Sequence, residues 1–106
     1  MHDEDPGTVG SATIQKQANV YYDGKVTSRS VTAADGTRQT LGIMRPGVYT
    51  FETDDREDIE VMKGELKVEF DGQQARYTAG ESFSIPPDTE FEVEVVSLVD
   101  YCCTYS

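Results

Sequence analysis

Along most of the chain, apolar and polar residues alternate one by one in short runs closed by turn residues. Leu66, Val68 and Phe70 fall on one face of such a run, with Lys67 and Glu69 on the other. Asp71-Gly72 follows at once and a second run, Gln73 to Thr78, returns, which predicts a hairpin with a tight turn. Phe91, Val93 and Val95 share a face opposed by Glu90, Glu92 and Glu94. Tyr101, Cys103 and Tyr105 share another, and Tyr49, Phe51 and Thr53 alternate with Val48, Thr50 and Glu52. A period of two means strands with one buried face and one wet face. Turn signals fall at Asp23-Gly24, Asp35-Gly36, Pro46-Gly47, Asp71-Gly72, Ala79-Gly80 and Pro86-Pro87-Asp88. For much of the chain they recur roughly every 8–12 residues, the rhythm of an all-β sandwich or barrel. No segment carries helical periodicity with caps. Residues 1–17 are polar, small or charged and are predicted to form a flexible acidic extension, which leaves 18–106 as the folded domain. Gly24, Gly36, Gly64 and Gly72 are expected at tight turns where a positive φ is useful, and Pro86-Pro87 at the end of a strand.

At 106 residues, with 37% hydrophobic residues, the chain can build one modest core. Lys and Arg number 9 against 20 Asp and Glu, a net charge of −11. Such a chain is repelled by nucleic-acid phosphates and by anionic membrane surfaces, so neither is an expected partner. No apolar stretch approaches a membrane span. The acidic start lacks the basic and apolar regions of a secretory signal, and the cytoplasm is the expected location. Glu69, Glu90, Glu92 and Glu94 are read as the wet face of a sheet. The two cysteines, Cys102 and Cys103, are adjacent and point to opposite faces of a strand, so they are expected as separate thiols. The one histidine, His2, lies in the polar tail, so an ordinary His/Cys zinc site has nothing to build on.

Two spacings add a fold. Glu57 is followed by Gly64, and Gly80 by Pro86 and Asp88, and both resemble the signature motifs of the cupin superfamily of small antiparallel β-barrels. The resemblance implies an all-β fold, a single small jelly-roll-like barrel over residues 18–106. In metal-binding cupins the first motif carries paired histidines and the second a further one. Here Phe51 and Thr53 stand at the paired positions and Phe91 at the later one, with Glu57 in the glutamate position. One carboxylate cannot hold a transition metal, which needs several ligands converging at about 2 Å, so no metal site is expected.

Further runs narrow the resemblance. Tyr22 to Ser28, Leu41 to Thr53, Glu57 to Gly64, Ala79 to Pro86 and the terminal Tyr101-Cys102-Cys103-Thr104-Tyr105 together resemble the pyrimidine/purine nucleoside phosphorylase family of small cupins, over about residues 18–105. The resemblance implies phosphorolysis of purine and pyrimidine nucleosides to free base and pentose 1-phosphate, inorganic phosphate as co-substrate with no cofactor, and a homodimer. Phosphate needs cations or oriented donors, and Lys25, Arg38 and the Ser28 hydroxyl are the candidates, with Arg45 next. Tyr49, Phe51, Thr53, Phe91 and Tyr101 are the candidates for holding the nucleoside, while Tyr105 and Phe83 are read as core. Glu57 shares parity with Ile59 and Val61, faces inward on that pattern, and is the candidate catalytic group. The rival expectation is a non-catalytic, metal-free cupin that binds a small sugar or nucleotide.

Overall fold

The computed structural model of the chain describes residues 7–106, so His2 lies outside the described residues. The described residues form nine strands, joined by turns and one 3-10 turn at Tyr22–Gly24. They are β1 (Ala12–Ile14), β2 (Asn19–Tyr21), β3 (Val26–Ala33), β4 (Arg38–Met44), β5 (Gly47–Glu52), β6 (Glu57–Phe70), β7 (Gln73–Thr78), β8 (Ser82–Ile85) and β9 (Glu90–Tyr105). Every pairing is antiparallel, and the strands form one connected sheet that does not close on itself. No helix among the described residues is long and apolar enough to cross a membrane.

Two long strands organise the rest. β6 has 14 residues and β9 has 16, and they pair with each other along most of their length. Each changes its other partner halfway. The start of β6 pairs with β8 and the end of β9 with β4, which makes one layer together with β1, β2 and β3. The end of β6 pairs with β7 and the start of β9 with β5, which makes a second layer. Val26, Met44, Val61, Ile85 and Val99 of the first layer meet Tyr49, Leu66, Val68, Val93 and Val95 of the second in one buried core. The Tyr77 ring stacks on Phe83 at 4.6 Å between centroids. Buried side chains of Leu or Val size each contribute about 1.5–3 kcal/mol relative to exposure, so this interlayer contact is the main source of stability.

The bend between the layers lies at Gly64. The β6–β9 register slips between Val61 and Leu66. Inward positions are Glu57, Ile59 and Val61 before the slip and Leu66, Val68 and Phe70 after it, so the parity of the strand reverses there. Gly64 adopts φ +89°, and a Cβ at this position would collide with the Leu98 carbonyl oxygen. Gly64 is therefore a bulge inside a continuous strand and not the tight turn that its sequence context predicts. The other three glycines read as turn residues do sit outside strand interiors at positive φ. The Asp71-Gly72 hairpin is as predicted, with Phe70 opposite Gln73 and both turn residues at positive φ, 55° and 74°.

One correction concerns the N-terminal extension. Ala12–Ile14 forms a strand on β3, with Ile14 opposite Val31, inside the segment expected to be flexible through residue 17. The free edge of β3 offers backbone partners that a polar composition does not reveal.

Gly64→Ala places a β-carbon in a left-handed backbone position and against a carbonyl at once. It is expected to cost about 2–4 kcal/mol in urea unfolding. A loss below about 0.5 kcal/mol, the range of an indifferent surface change, contradicts the assigned role of the bulge.

A carboxyl-bearing aromatic cavity between the layers

At the end of the molecule where β5 and β9 meet the start of β6, the two layers stand apart and leave a cavity of about 420 Å³. The inner face of the first layer supplies Ser28, Thr40, Glu57, Tyr101, Cys103 and Tyr105 to its wall. The second layer supplies Phe51 and Phe91, whose ring centroids are 5.6 Å apart. Strand register explains the grouping. Glu57 lies opposite Tyr105, Ile59 opposite Cys103, and Cys103 opposite Thr40, so these inward side chains form adjacent rungs.

Tyr22 is also part of the cavity wall. Its backbone has φ 52°, a left-handed position that costs a bulky residue about 1–3 kcal/mol. That turn carries the ring to the second layer, 5.1 Å from Tyr49. There its hydroxyl accepts from the Thr50 N–H at 3.1 Å and donates to the Thr50 carbonyl at 2.5 Å. These two bonds satisfy backbone groups of β5 and fix the aromatic rim.

Gly42 makes room for Tyr101. A Cβ on Gly42 would lie 2.7 Å from the Tyr101 hydroxyl and would strike the Thr27 carbonyl as well. The phenol therefore lies over the glycine. Burial, then the nearby Cys103, push its pKa up to about 12, with the Ser28 hydrogen bond opposing. Ser28 is itself buried and accepts from Asn19 Nδ2 at 3.3 Å.

Glu57 is half-buried in the wall. Burial raises its pKa most, the hydrogen bond from Cys103 lowers it, and Asp54 raises it. The Cys103 Sγ–H donates to Glu57 Oε1 at 3.4 Å. Tyr105 shares a hydrogen bond of 3.1 Å with Thr40 Oγ1, and burial pushes its pKa well above the ordinary tyrosine value. Among the described residues none that lines the cavity is basic.

The predicted site residues thus divide. Ser28, Phe51, Glu57, Phe91 and Tyr101 line the cavity together. Tyr49 is buried behind it, and its hydroxyl donates to the Arg45 carbonyl at 2.5 Å. Thr53 is buried as a clasp between loops, donating to the Pro86 carbonyl at 2.6 Å and accepting from the Thr89 N–H at 2.9 Å. Lys25 and Arg38 are exposed and outside the lining. Val26 pairs with Met44 at one end of the β3–β4 ladder and Thr32 with Arg38 at the other, so the backbones of Lys25 and Arg38 stand about 20 Å apart at ~3.3 Å per residue. Lys25 lies instead beside Arg45, whose N–H donates to the Lys25 carbonyl at 2.8 Å. Arg38 pairs with Asp55 at 2.8 Å and lies 5.8 Å over the Tyr105 ring, at the edge of the cavity.

Phe83 belongs to the core and Tyr105 packs against it, as expected, and both also line the cavity, as do Tyr21, Tyr22, Thr40 and Cys103, whose place there the sequence did not single out. The shared parity of Tyr101, Cys103 and Tyr105 carries the signal for the thiol and for Tyr105. Thr40 follows only from register. Both cysteines are free and buried. Among the described residues no group of His, Cys, Asp and Glu converges as a metal site, and Phe51, Thr53 and Phe91 offer no imidazole.

A carboxyl whose pKa is raised by folding costs stability once it ionises. Below the unfolded-state value both states are protonated and the cost is absent; as pH rises through the folded-state value the cost becomes complete. Glu57→Gln is therefore expected to melt at a higher temperature than the parent at pH 7, with the gap closing as pH falls through the carboxylate range. Thermal melts across pH check this, and a gap that widens in acid contradicts it.

The family model described as pyrimidine/purine nucleoside phosphorylase matches residues 16–105. A pyrimidine/purine nucleoside phosphorylase of Leptospira interrogans is 48% identical over 97 residues, covering 90% of this chain and 92% of its own. One of Geobacter sulfurreducens is also 48% identical over 97 residues, covering 90% and 93%. A crystal structure of a protein of unknown function from Acinetobacter sp. ADP1 superposes with a TM-score of 0.90 at 33% identity, over 96% of this chain and 100% of that one. A cupin superfamily protein of Desulfitobacterium hafniense DCB-2 shares the fold, with a TM-score of 0.66 at 13% identity over 84% and 81% of the two chains. Fold, matched length and identity agree, and the chain belongs to the pyrimidine/purine nucleoside phosphorylase family.

Proposed function

We propose that this chain is a cytoplasmic nucleoside phosphorylase of broad base specificity that works without a metal or other cofactor and takes inorganic phosphate as co-substrate. The observation that carries the proposal is the aromatic cavity of about 420 Å³ with a carboxyl in its wall. That volume falls within the usual ~300–1,000 Å³ of small-ligand sites. Phe51 and Phe91 offer faces on which any base can stack, which favours tolerance of both purines and pyrimidines. Tyr101, Ser28 and Thr40 offer hydroxyls to the sugar.

Phosphorolysis forms a bond from a phosphate oxygen to C1′ and breaks the bond from C1′ to the base nitrogen. The electron pair leaves with the base, and positive charge builds on the sugar ring. Glu57 has two uses in this step. Protonated, which its burial favours, it gives a proton to the departing base; ionised, it accepts from sugar hydroxyls. Phosphate needs a cation, and none lines the cavity among the described residues. Arg38 is the candidate closest to Glu57, because both lie on the Tyr105 rung, and its pairing with Asp55 is a surface ion pair that a dianion can displace. The Lys25–Arg45 corner is the other choice. A homodimer that covers the free edge of β7 belongs to the same proposal.

The acidic lining also favours a second reading, a non-catalytic cupin that binds an uncharged sugar or nucleoside, and one assay separates the two. Purified chain with inosine or uridine is expected to release free base and pentose 1-phosphate only when phosphate is present, with a chelator making no difference. Binding of the nucleoside without phosphate-dependent turnover supports the second reading. Glu57→Gln is expected to lower kcat/KM about tenfold to hundredfold, or ~1.4–2.7 kcal/mol of transition-state stabilisation. Full activity on both nucleosides would remove Glu57 from the reaction.

Arg38→Ala is expected to raise the KM for phosphate about tenfold or more, the loss of one charge-assisted contact. Asp55→Asn, which frees the guanidinium, is expected to lower it. An effect of Lys25→Ala in place of Arg38→Ala moves the phosphate to the other end of the ladder.

A further inference from the structure

We infer that Cys103 is a positioning residue of the cavity, whose thiol pins Glu57 Oε1 and leaves Oε2 as the oxygen presented to a bound molecule. The inference deepens the proposed function and rests on it only for the use to which Oε2 is put. Its basis is geometric. Cys103 is only 3% exposed, at the centre of a rung between Thr40 on β4 and Ile59 on β6, and it lines the cavity one rung from Glu57. The Sγ–H donates to Oε1 at 3.4 Å, an ordinary length for a sulfur donor. Among the described residues Oε2 has no hydrogen-bond partner. Among the described residues no buried side-chain oxygen lacks a partner, so Oε2 is not buried. One oxygen is thus fixed by the protein and the other is accessible.

The thiol is suited to this and to little else. Burial, and next the Glu57 charge, push its pKa far above the ordinary thiol value, with the Tyr105 hydroxyl opposing. It stays an S–H donor across the working range of the protein and is a poor nucleophile. A permanent donor on Oε1 means that a proton taken up by the carboxyl goes to Oε2, from which it can pass to a heteroatom of a base. A thiol is also a weak donor, so it orients the carboxyl without forcing it to stay ionised. A lysine or arginine here would hold the group as carboxylate and abolish its use as an acid.

The other groups around Glu57 do not supply this function. On β9 Tyr101 and Tyr105 remain protonated phenols. Asp54, in the β5–β6 connection, raises the Glu57 pKa, and Glu52 on β5 adds a second negative charge to the lining. Ile85, opposite Glu57 on β8, is apolar. Arg38 on β4 is engaged with Asp55 at the rim.

The test is a carbon-13 titration of the Glu57 side-chain carboxyl in the full chain, with the signal assigned by Glu57→Gln. Parent, Cys103→Ala and Cys103→Ser are compared, together with the pH dependence of kcat/KM. Loss of the donor in Cys103→Ala is expected to raise the Glu57 midpoint by about half a pH unit or more, and the limb of the rate profile that Glu57 controls by the same amount. Cys103→Ser retains a donor and is expected to bring both back toward the parent. Equal midpoints in all three proteins, or a fall in Cys103→Ala, would overturn the inference. If the midpoints follow residue 103 while inosine and uridine are not phosphorolysed by the parent, the positioning role stands and the proposed function falls. Should Cys103→Ala fail to fold, Cys103→Val, which also lacks a donor but fills more of the buried space, takes its place with the same expected rise, and a Cys103→Val midpoint equal to that of the parent overturns the inference.

Discussion

A carbonyl oxygen pressed against a glycine sets the shape of this molecule. At Gly64 the bulge in β6 lets the Leu98 carbonyl approach to where any side chain would stand. The β6–β9 pair turns there from one layer into the other, and the inward parity of β6 reverses with it. Without the reversal, either Glu57, Ile59 and Val61 or Leu66, Val68 and Phe70 would face solvent. The same bend keeps both layers continuous with two strands, so that they close tightly over the core and diverge at the Glu57 end. The cavity is the consequence of that divergence, walled by the inner faces of both layers.

The electrostatics of the cavity follow from the same placement. Among the described residues it is lined by aromatic rings, aliphatic side chains, hydroxyls, a thiol and carboxyls, with no cation. A half-buried carboxyl in that setting is biased toward its neutral form, and the hydrogen bond from Cys103 is what moderates the bias. Among the described residues that line the cavity Glu57 meets neither an imidazole nor a cation, and its Oε1 accepts from the Cys103 thiol. The strong negative charge of the chain is a separate matter. Most of it lies on outward positions such as Glu90, Glu92 and Glu94, which face away from the core.

Much of this was legible from alternation alone. The runs at 49–53, 66–70, 91–95 and 101–105 name the inward faces correctly, because a strand has only two faces and one of them must be apolar. The same rule placed Glu57 on the inner face. What alternation does not contain is register. It could not show that Lys25 and Arg38 lie at opposite ends of one ladder, that Thr40 meets Cys103, or that Thr53 clasps two loops by its hydroxyl. Gly64 shows the limit most clearly. The parity switch on either side of it was in the sequence, yet a glycine after a strand reads equally as a turn, and only the pairing of β6 with β9 on both sides distinguishes a bulge. Phe83 and Tyr105 were read as core, and they do pack in and against it; apolar parity could not show that the same side chains also wall the cavity.

The account stands or falls on the cavity as the place where a nucleoside binds. The most direct measurement is a crystal structure of the chain grown with a nucleoside and phosphate. The account predicts the base against Phe51 and Phe91, a heteroatom of the base or a sugar hydroxyl within hydrogen-bond distance of Glu57 Oε2, and Oε1 still held by Cys103. A nucleoside bound elsewhere on the molecule, with the cavity filled only by solvent, would contradict it.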